Sequence, residues 1–501
     1  MQKSYGQILK SSALIGGSSI LVVAIGIIRT KVMAVLLGTA GFGLFGLFSS
    51  IVDVVVAIAG MGINASGVRQ IAEAVSTEDE RRIARTVTVL RRVALVLGVA
   101  GGVLLAIMSP QVSVLTFGSD RYAWAIALLS LAVFFRLVTG GQGALIQGTR
   151  RIADLARVSI FGALASVVIS IPVIYVLREE GVAPALVCIA AASLAISWWY
   201  SRKIEVDTPS MTVSDVRSEA SALLKLGLAF MASAFLMMAA SYAVRMMLVR
   251  QIDLEAAGLY GAAWTLGGLY VNFVLQAMGA DFYPRLVGVS SNDPVCNRLT
   301  NEQAQVSMLL AGPGVCATIV FAPLVISLFY SSEFFGAVDT LRWICMGVAL
   351  RVITWPIGYI IVAKGRQEIF FLTELLWAIV NVSLTWYCIG RFGVDGAGIA
   401  FFGSYVFHGL MIYPIVRVLS GFRWTWPSLQ IGAIFILCAS AVFLSCRLLP
   451  PPWDEVAGIA ITVATALYSL HRLLQSLAED RLPARVQKLL GHLRIARWYT
   501  A

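Results

Sequence analysis

The amino-acid sequence predicts an all-α, polytopic membrane protein with about fourteen spanning helices, from its composition and the spacing of its apolar runs. The chain has 501 residues, of which 59% are hydrophobic and 13% are charged. Soluble domains are roughly half apolar and a quarter charged. Apolar runs recur from one end of the chain to the other, so hydrocarbon is the expected solvent for most of it.

Each predicted helix is an apolar run long enough to cross a bilayer core, which takes roughly 20 residues at a rise of about 1.5 Å each. The runs lie near 12–36, 43–63, 93–109, 122–147, 156–177, 183–200, 222–246, 257–280, 305–330, 338–363, 369–390, 395–418, 428–447 and 454–473. The first run follows Lys3 and Lys10, as a secretion signal would. It is too long for a signal and continues through Arg29 and Lys31, so we expect an uncleaved helix.

The distribution of cationic residues predicts the orientation of these helices. The formal net charge is +11. If the N-terminus is cytoplasmic, the loops and tails on that side contain about four times as many Lys and Arg residues as the opposite loops, which the positive-inside rule requires when both termini are cytoplasmic. The basic segments are therefore interpreted as topology signals and lipid contacts, and no nucleic acid is expected as a partner. The tail has the pattern of a basic amphipathic helix on the membrane surface.

An internal duplication divides the predicted helices into two halves. The segment Gly43–Gly46 (GLFG) matches Gly258–Gly261 (GLYG) at an offset of 215 residues, and the same offset places Arg136 on Arg351. We predict an N-terminal six-helix half at 1–205, a C-terminal six-helix half at 206–420, two additional transmembrane helices at 421–474 and a cytoplasmic amphipathic tail at 475–501. Halves of six helices share one orientation, so a substrate path between them is expected.

Several segments resemble the bacterial O-antigen and polysaccharide translocases of the multidrug/oligosaccharidyl-lipid/polysaccharide (MOP) flippase superfamily. They are 37–47 (LGTAGFGLFGL), 60–72 (GMGINASGVRQIA), 281–286 (DFYPRL) and 301–303 (NEQ). The resemblance implies a MATE/MOP-like fold in the bacterial inner membrane. It implies movement of an undecaprenyl-pyrophosphate-linked oligosaccharide, either an O-antigen or an exopolysaccharide repeat unit, from the cytoplasmic to the periplasmic leaflet. Membrane lipids, a polysaccharide polymerase and its chain-length machinery are the implied partners.

Arginines within the predicted spans are the candidate substrate contacts. A charge at the bilayer centre costs roughly 2.5–3.5 kcal/mol on insertion scales, so these side chains are expected to face an aqueous cavity. A guanidinium can bind phosphate oxygens through two parallel hydrogen bonds. We assign Arg136 and Arg351, which lie near mid-span, and Arg29 to such a cavity. Arg245 is a further candidate, although its place at the end of a span also suits snorkelling to the headgroups.

Acids, amides and rings within the spans are candidates for ion coupling or sugar contacts. Asp53 is predicted either to pair with Arg29 or to bind a coupling proton or sodium ion. Glu374, Trp377 and Asn381 share one helix face and suit either sugar hydroxyls or interhelical hydrogen bonds. Asn272 and Gln276, four residues apart, form a similar polar pair that suits substrate or helix contacts.

Three other functional classes were weighed against a translocase. An enzyme acting on lipid-linked glycans would need a large outer loop with catalytic groups, and the outer loops here are short, so no enzyme is expected. A MATE-type drug/cation antiporter should carry cavity acids, whereas arginines outnumber acids in these spans. A lipid II (peptidoglycan precursor) flippase remains an alternative, because such proteins also have fourteen helices. The sequence contains neither a Walker motif nor a metal-ligand cluster, so no cofactor or metal is expected and ATP is not the direct energy source.

Overall fold

The chain folds into helices throughout the part that the structure describes. The computed structural model describes residues 2–76, 79–204, 206 and 210–479, without the side chains of 2–16, 76, 229, 230, 233, 273, 276–278, 280 and 476–479. The helices are α1 (Gln2–Gly60), α2 (Ile63–Ser76), α3 (Glu80–Ile107), α4 (Ser109–Phe117), α5 (Ala123–Gly148), α6 (Ile152–Leu177), α7 (Val182–Ser201), α8 (Val213–Gln251), α9 (Leu254–Gly288), α10 (Asp293–Val320), α11 (Ala322–Phe329), α12 (Val338–Ala363), α13 (Gln367–Phe392), α14 (Asp395–Ser420), α15 (Trp426–Leu448) and α16 (Trp453–Glu479). Short 3-10 helices lie at Arg178–Gly181 and Ser332–Ala337.

The predicted all-α membrane fold is confirmed. Among the described residues, ten helical segments are long and apolar enough to cross a membrane. Two of them, Gly17–Gly60 and Ile152–Ser201, are 44 and 50 residues long and each contains two of the predicted runs. The predicted runs 222–246 and 257–280 lie within α8 and α9. Helical geometry satisfies the backbone polar groups that lipid cannot, which is why spanning segments of this kind fold as helices.

The chain reverses its direction at Gly38, inside α1. Gly38 has a φ of 65° and a ψ of −169°, which breaks the helical backbone there. The Arg29 guanidinium lies 5.7 Å from the centre of the Phe45 ring, although a straight helix would separate these residues by about 24 Å. The first two predicted spans are therefore two helices that fold back on each other about a glycine.

Three short features of the fold were not predicted. The helix α2 is amphipathic, and α4 starts a new helix directly after α3, with Pro110 in its first turn. The predicted run 305–330 is interrupted after Val320, and α11 begins with Pro323 at its second position. Proline has no backbone N–H and is best tolerated in the first turn of a helix, so apolar runs that continue past a proline can hide a break.

Contacts divide the chain into two compact units. Unit 1 comprises Met1–Ala262, Ile326–Ala337 and Thr385–Val394, and unit 2 comprises Ala263–Val325, Val338–Leu384 and Asp395–Ala501. Unit 1 is packed around fully buried side chains of α1, α5 and α7, including Phe48, Ile126 and Ala185. One core of unit 2 lies where α9, α12 and α14 meet, around Leu286, Ile360 and Val416. The repeat boundaries at 205, 420 and 474 stay predictions, and residues 480–501 of the predicted tail lie outside the described residues.

The matched glycines of the duplication touch each other within unit 1. A Cβ atom on Gly43 would lie 2.9 Å from the backbone nitrogen of Gly258, and one on Gly258 would lie 3.1 Å from that of Gly43. The same substitution at Gly258 would bring the Cβ to 2.0 Å from the carbonyl oxygen of Thr39. Equivalent residues of two related segments meet only near a symmetry axis, so this contact supports the proposed duplication. Small residues permit this close approach of helix backbones.

We expect Gly258→Val to destabilise unit 1 by about 1–3 kcal/mol or more, because its side chain has no room beside the Thr39 carbonyl. The thermal unfolding midpoint of the purified protein in detergent measures this effect. Gly140→Ala is the matched control, because a Cβ on Gly140 would meet no atom within 4 Å. An unchanged midpoint for Gly258→Val would show that the close contact between α1 and α9 does not exist.

Candidate functional site

A salt bridge joins two of the predicted site residues in unit 1. The Nη1 atom of Arg136, on α5, donates to Oδ1 of Asp53, on α1, at 2.6 Å. The two side chains are 43% and 38% exposed. A half-exposed ion pair in the middle of apolar helices must face water, because lipid would not solvate it.

Asp53 was expected to pair with Arg29, and the structure gives it a different partner. Arg29 and Asp53 lie on the two helices that meet at Gly38, but at unequal distances from it along the chain. That difference corresponds to about 9 Å of depth. Arg29 instead lies over the ring of Phe45. A contact between a guanidinium and an aromatic face is a favourable cation–π interaction.

Arg245, on α8, lies inside unit 1, so the snorkelling alternative for this residue is not what the structure shows. Its Nη1 donates to the hydroxyl of Ser241 and, at 3.3 Å, to the Ser241 carbonyl oxygen. Its Nε is buried and has no hydrogen-bond partner among the described residues. Gly46 of α1 is a neighbour of this guanidinium, since a Cβ there would lie 3.7 Å from the Arg245 Nε, in ordinary van der Waals contact. Asp53 and the buried Tyr260 are its electrostatic neighbours.

The candidate site residues of unit 1 therefore include more cations than anions. Arg136 and Arg245 both interact with the carboxylate of Asp53. Arg29 lies over the ring of Phe45, the residue before Gly46. Three guanidinium groups with one carboxylate leave an excess of positive charge. In a low-dielectric surrounding such an excess attracts anions, and guanidinium forks match phosphate oxygens.

Unit 2 contains a second polar cluster, centred on Arg351 of α12. The Nη1 atom of Arg351 donates to Oδ1 of Asn272, on α9, at 3.1 Å. Glu374, Tyr405 and His408 are electrostatic neighbours of the same guanidinium. The side chain of Gln276, the predicted partner of Asn272, lies outside the described residues. The 215-residue offset therefore brings two arginines into similar settings, each with a carboxylate near it.

The predicted stripe of Glu374, Trp377 and Asn381 on α13 divides into separate environments. The Nδ2 of Asn381 donates to Oγ of Ser404, on α14, at 3.2 Å, and both side chains are buried. Trp377 packs against Tyr405, with ring centres 5.6 Å apart, and its indole N–H has no partner among the described residues. Asn381 thus joins two helices, whereas Glu374 is an electrostatic neighbour of Arg351 and Trp377 packs on Tyr405.

Sequence reasoning missed three polar residues that contribute to these clusters. Tyr260 and Ser241 lie beside Arg245, and Tyr405 lies between Trp377 and His408. Tyr260 belongs to the repeated GLYG segment, where it replaces the phenylalanine of GLFG. The sequence signal for Tyr260 was this hydroxyl group, which is present in only one of the two matching segments. Serine and tyrosine inside apolar helices give no signal of their own.

Lys31 contacts a helix end and is not one of the candidate arginine contacts. Its ammonium donates to the carbonyl oxygens of Ser327, at 2.6 Å, and of Tyr330, at the end of α11. The carbonyl end of a helix carries partial negative charge, which a cation stabilises. Lys31 therefore serves as a helix cap in unit 1, two residues away from Arg29 but on another face of α1.

Comparison with known proteins gives one family match and a distant curated relative. The sequence profile of a family described as "polysaccharide biosynthesis protein" matches residues 32–339. The lipid III flippase of Escherichia coli (strain K12) is 21% identical over 403 residues, which are 79% of this chain and 95% of the relative.

Solved structures with the same fold are transporters. An inward-facing multidrug resistance MATE family transporter of the MOP superfamily superposes with a TM-score of 0.68 at 16% identity, over 79% of this chain and 95% of its own. The lipid II flippase MurJ, in an inward closed conformation, superposes with a TM-score of 0.67 at 12% identity, over 94% of this chain and 100% of its own. The chain therefore shares the fold of these two solved transporters.

The Asn381–Ser404 contact predicts a stability effect separate from any substrate contact. Interhelical hydrogen bonds in membranes average about 0.6 kcal/mol, with a maximum of about 1.7 kcal/mol. We expect Asn381→Ala and Ser404→Ala each to lower the free energy of unfolding by an amount in that range. The loss in the double variant should be smaller than the sum of the two single losses, by the energy of the shared hydrogen bond. Unfolding in detergent, analysed as a double-mutant cycle, measures this coupling. A coupling energy of zero would mean that the two side chains do not interact.

Proposed function

Because the chain belongs to the polysaccharide biosynthesis protein family, we propose that it is a flippase for undecaprenyl-pyrophosphate-linked oligosaccharides. The proposed cargo is an O-antigen or exopolysaccharide repeat unit, or a closely related glycan, moved across the bacterial inner membrane. The similarity to the E. coli lipid III flippase supports a lipid-linked cargo. The chain is a multi-pass membrane transporter rather than an enzyme, and we assign it no catalytic residue.

The observation that carries this proposal is the excess of arginine in the middle of unit 1. Arg136 is half-exposed beside Asp53, and Arg245 has a buried Nε without a hydrogen-bond partner among the described residues. A pyrophosphate linkage carries its negative charge at the point that must cross the hydrocarbon core. Guanidinium groups at that depth replace the water that the phosphate oxygens lose, and bidentate hydrogen bonds hold them.

We propose that transport proceeds by alternating access through a cationic path. The pyrophosphate binds to Arg136 and Arg245 of unit 1, with Arg29 as a further cationic contact, while the polyprenyl tail stays in lipid. Arg351 is the cationic contact of unit 2. Glu374 is an electrostatic neighbour of Arg351, and Trp377 packs on Tyr405. Both suit a sugar, because a ring face packs on its apolar side and a carboxylate accepts from its hydroxyls. A change of accessibility then presents the headgroup to the opposite leaflet.

Two other transport functions predict different chemistry at the same positions. A drug/cation antiporter needs acids free to hold cations, but Asp53 is bonded to Arg136 and Glu374 lies within reach of Arg351. A lipid II flippase would also bind pyrophosphate, and the fold likeness to MurJ covers 94% of this chain. The cargo glycan distinguishes that alternative from the proposed one, so the assay must name the glycan.

Replacement of Arg136 or Arg351 by Ala is expected to reduce transport roughly tenfold or more, since a charge-assisted hydrogen bond is worth about 1.5–3 kcal/mol. The measurement is surface glycan in a bacterial strain that lacks its own oligosaccharide flippase and expresses each variant at equal level. Lysine at either position should restore only part of the activity, because an ammonium cannot form the two parallel bonds of a guanidinium.

Arg391→Ala is the matched control, because Arg391 ends α13 in an exposed position over the ring of Tyr387. It should transport as well as the wild type. Full complementation by both the Arg136→Ala and the Arg351→Ala variants would overturn the cationic-path proposal. Rescue of a strain depleted of its lipid II flippase, without rescue of surface glycan, would favour the peptidoglycan alternative.

A further inference from the structure

The carboxylate of Asp53 is bonded to the guanidinium of Arg136, which should bind the cargo phosphate under the proposed function. Asp53 Oδ1 lies 2.6 Å from Arg136 Nη1. We propose that Asp53 is a resident counter-anion, which neutralises Arg136 while the site is empty and which the pyrophosphate displaces when cargo binds. This inference rests on the proposed function and extends it from binding to release.

The exposure of the pair makes such an exchange chemically reasonable. The Asp53 and Arg136 side chains are 38% and 43% exposed, so neither is locked in a dry core. Ion pairs of that exposure contribute little to stability. A phosphate group can form two parallel hydrogen bonds with a guanidinium, whereas the Asp53 carboxylate accepts one hydrogen bond from Arg136 here. The incoming anion is therefore the stronger ligand, and the carboxylate can yield without large cost.

A second guanidinium keeps Asp53 compensated after it leaves Arg136. Asp53 is an electrostatic neighbour of Arg245, whose buried Nε has no hydrogen-bond partner among the described residues. Asp53 can thus shift its interaction from Arg136 towards Arg245 without becoming an unpaired charge, which inside a membrane would be costly.

The exchange has a consequence for release. A site of three arginines alone would hold a pyrophosphate tightly and release it slowly, because affinity differences are expressed mainly in dissociation rates. A carboxylate that returns to Arg136 competes with the departing phosphate and lowers the cost of emptying the site. Asp53 is therefore a positioning residue that sets affinity for the anion, and it does not itself bind the cargo.

The test is the binding of undecaprenyl pyrophosphate to the purified full-length protein in detergent. Asp53→Asn removes the competing charge and should tighten binding by roughly three- to tenfold, whereas Arg136→Ala should weaken it. In the Arg136→Ala background, Asp53→Asn should change affinity much less. The Asp53→Asn variant should also flip its cargo more slowly in vesicles, despite its tighter binding, because release is slower.

Glu73→Gln is the matched control, since Glu73 accepts from Arg82 at 3.2 Å with exposures of 54% and 44%. It removes a carboxylate from a similar exposed pair outside the predicted spans and should leave affinity unchanged. If Asp53→Asn fails to fold, judged by its unfolding midpoint, Asp53→Ser supplies a second neutral variant with a smaller side chain.

The outcomes separate this inference from the proposed function. A wild-type protein that does not bind undecaprenyl pyrophosphate would overturn the proposed function itself. If the wild type binds and a folded neutral variant at position 53 binds equally or more weakly, the proposed function stands. The counter-anion role of Asp53 would then be rejected. That second result would make Asp53 a purely structural partner of Arg136.

Discussion

The interaction on which the rest of this structure depends is the pairing of charge inside an apolar helical bundle. An arginine in hydrocarbon is costly on every scale, and that cost falls only if the side chain reaches water or an opposite charge. Arg136 has both, a carboxylate at 2.6 Å and a half-exposed surface. Lys31 meets the same constraint differently, through the carbonyl oxygens at the end of α11. Arg136 and Lys31 thus each have a neighbouring group that offsets their charge.

The helices were predictable from the sequence because the thickness of a bilayer imposes a length on each apolar run. Partners across helices were not, since run length carries no information on rotation or depth. Asp53 illustrates the limit: Arg29 was the candidate partner on the first hairpin, but the chain reversal at Gly38 puts the two at different depths. The breaks before α4 and α11 were hidden for a related reason, because hydropathy does not register a proline in the first turn of a new helix.

The candidate site was predictable to the level of residue type. Buried arginines stand out because so few charges are allowed in spans, and Arg136 and Arg351 shared one offset. The surroundings of these arginines needed coordinates. Asn381 looked equally suited to a sugar and to a helix contact, and only the bond to Ser404 distinguishes them. Arg245 looked like an interfacial residue, whereas the structure buries its Nε inside unit 1, next to Gly46.

Under the predicted duplication, the two equivalent arginines have acids from different helices near them. The residue that corresponds to Asp53 in the second repeat is Gly268, which cannot balance a charge. Arg351 instead has Glu374 of α13 near it, and Asn272 of α9 provides the hydrogen bond. A duplicated helix keeps its arginine only if some neighbour compensates the charge, but any neighbouring helix can supply that group. The arginine is thus common to the two predicted repeats, whereas the neighbouring carboxylate comes from α1 in unit 1 and from α13 in unit 2.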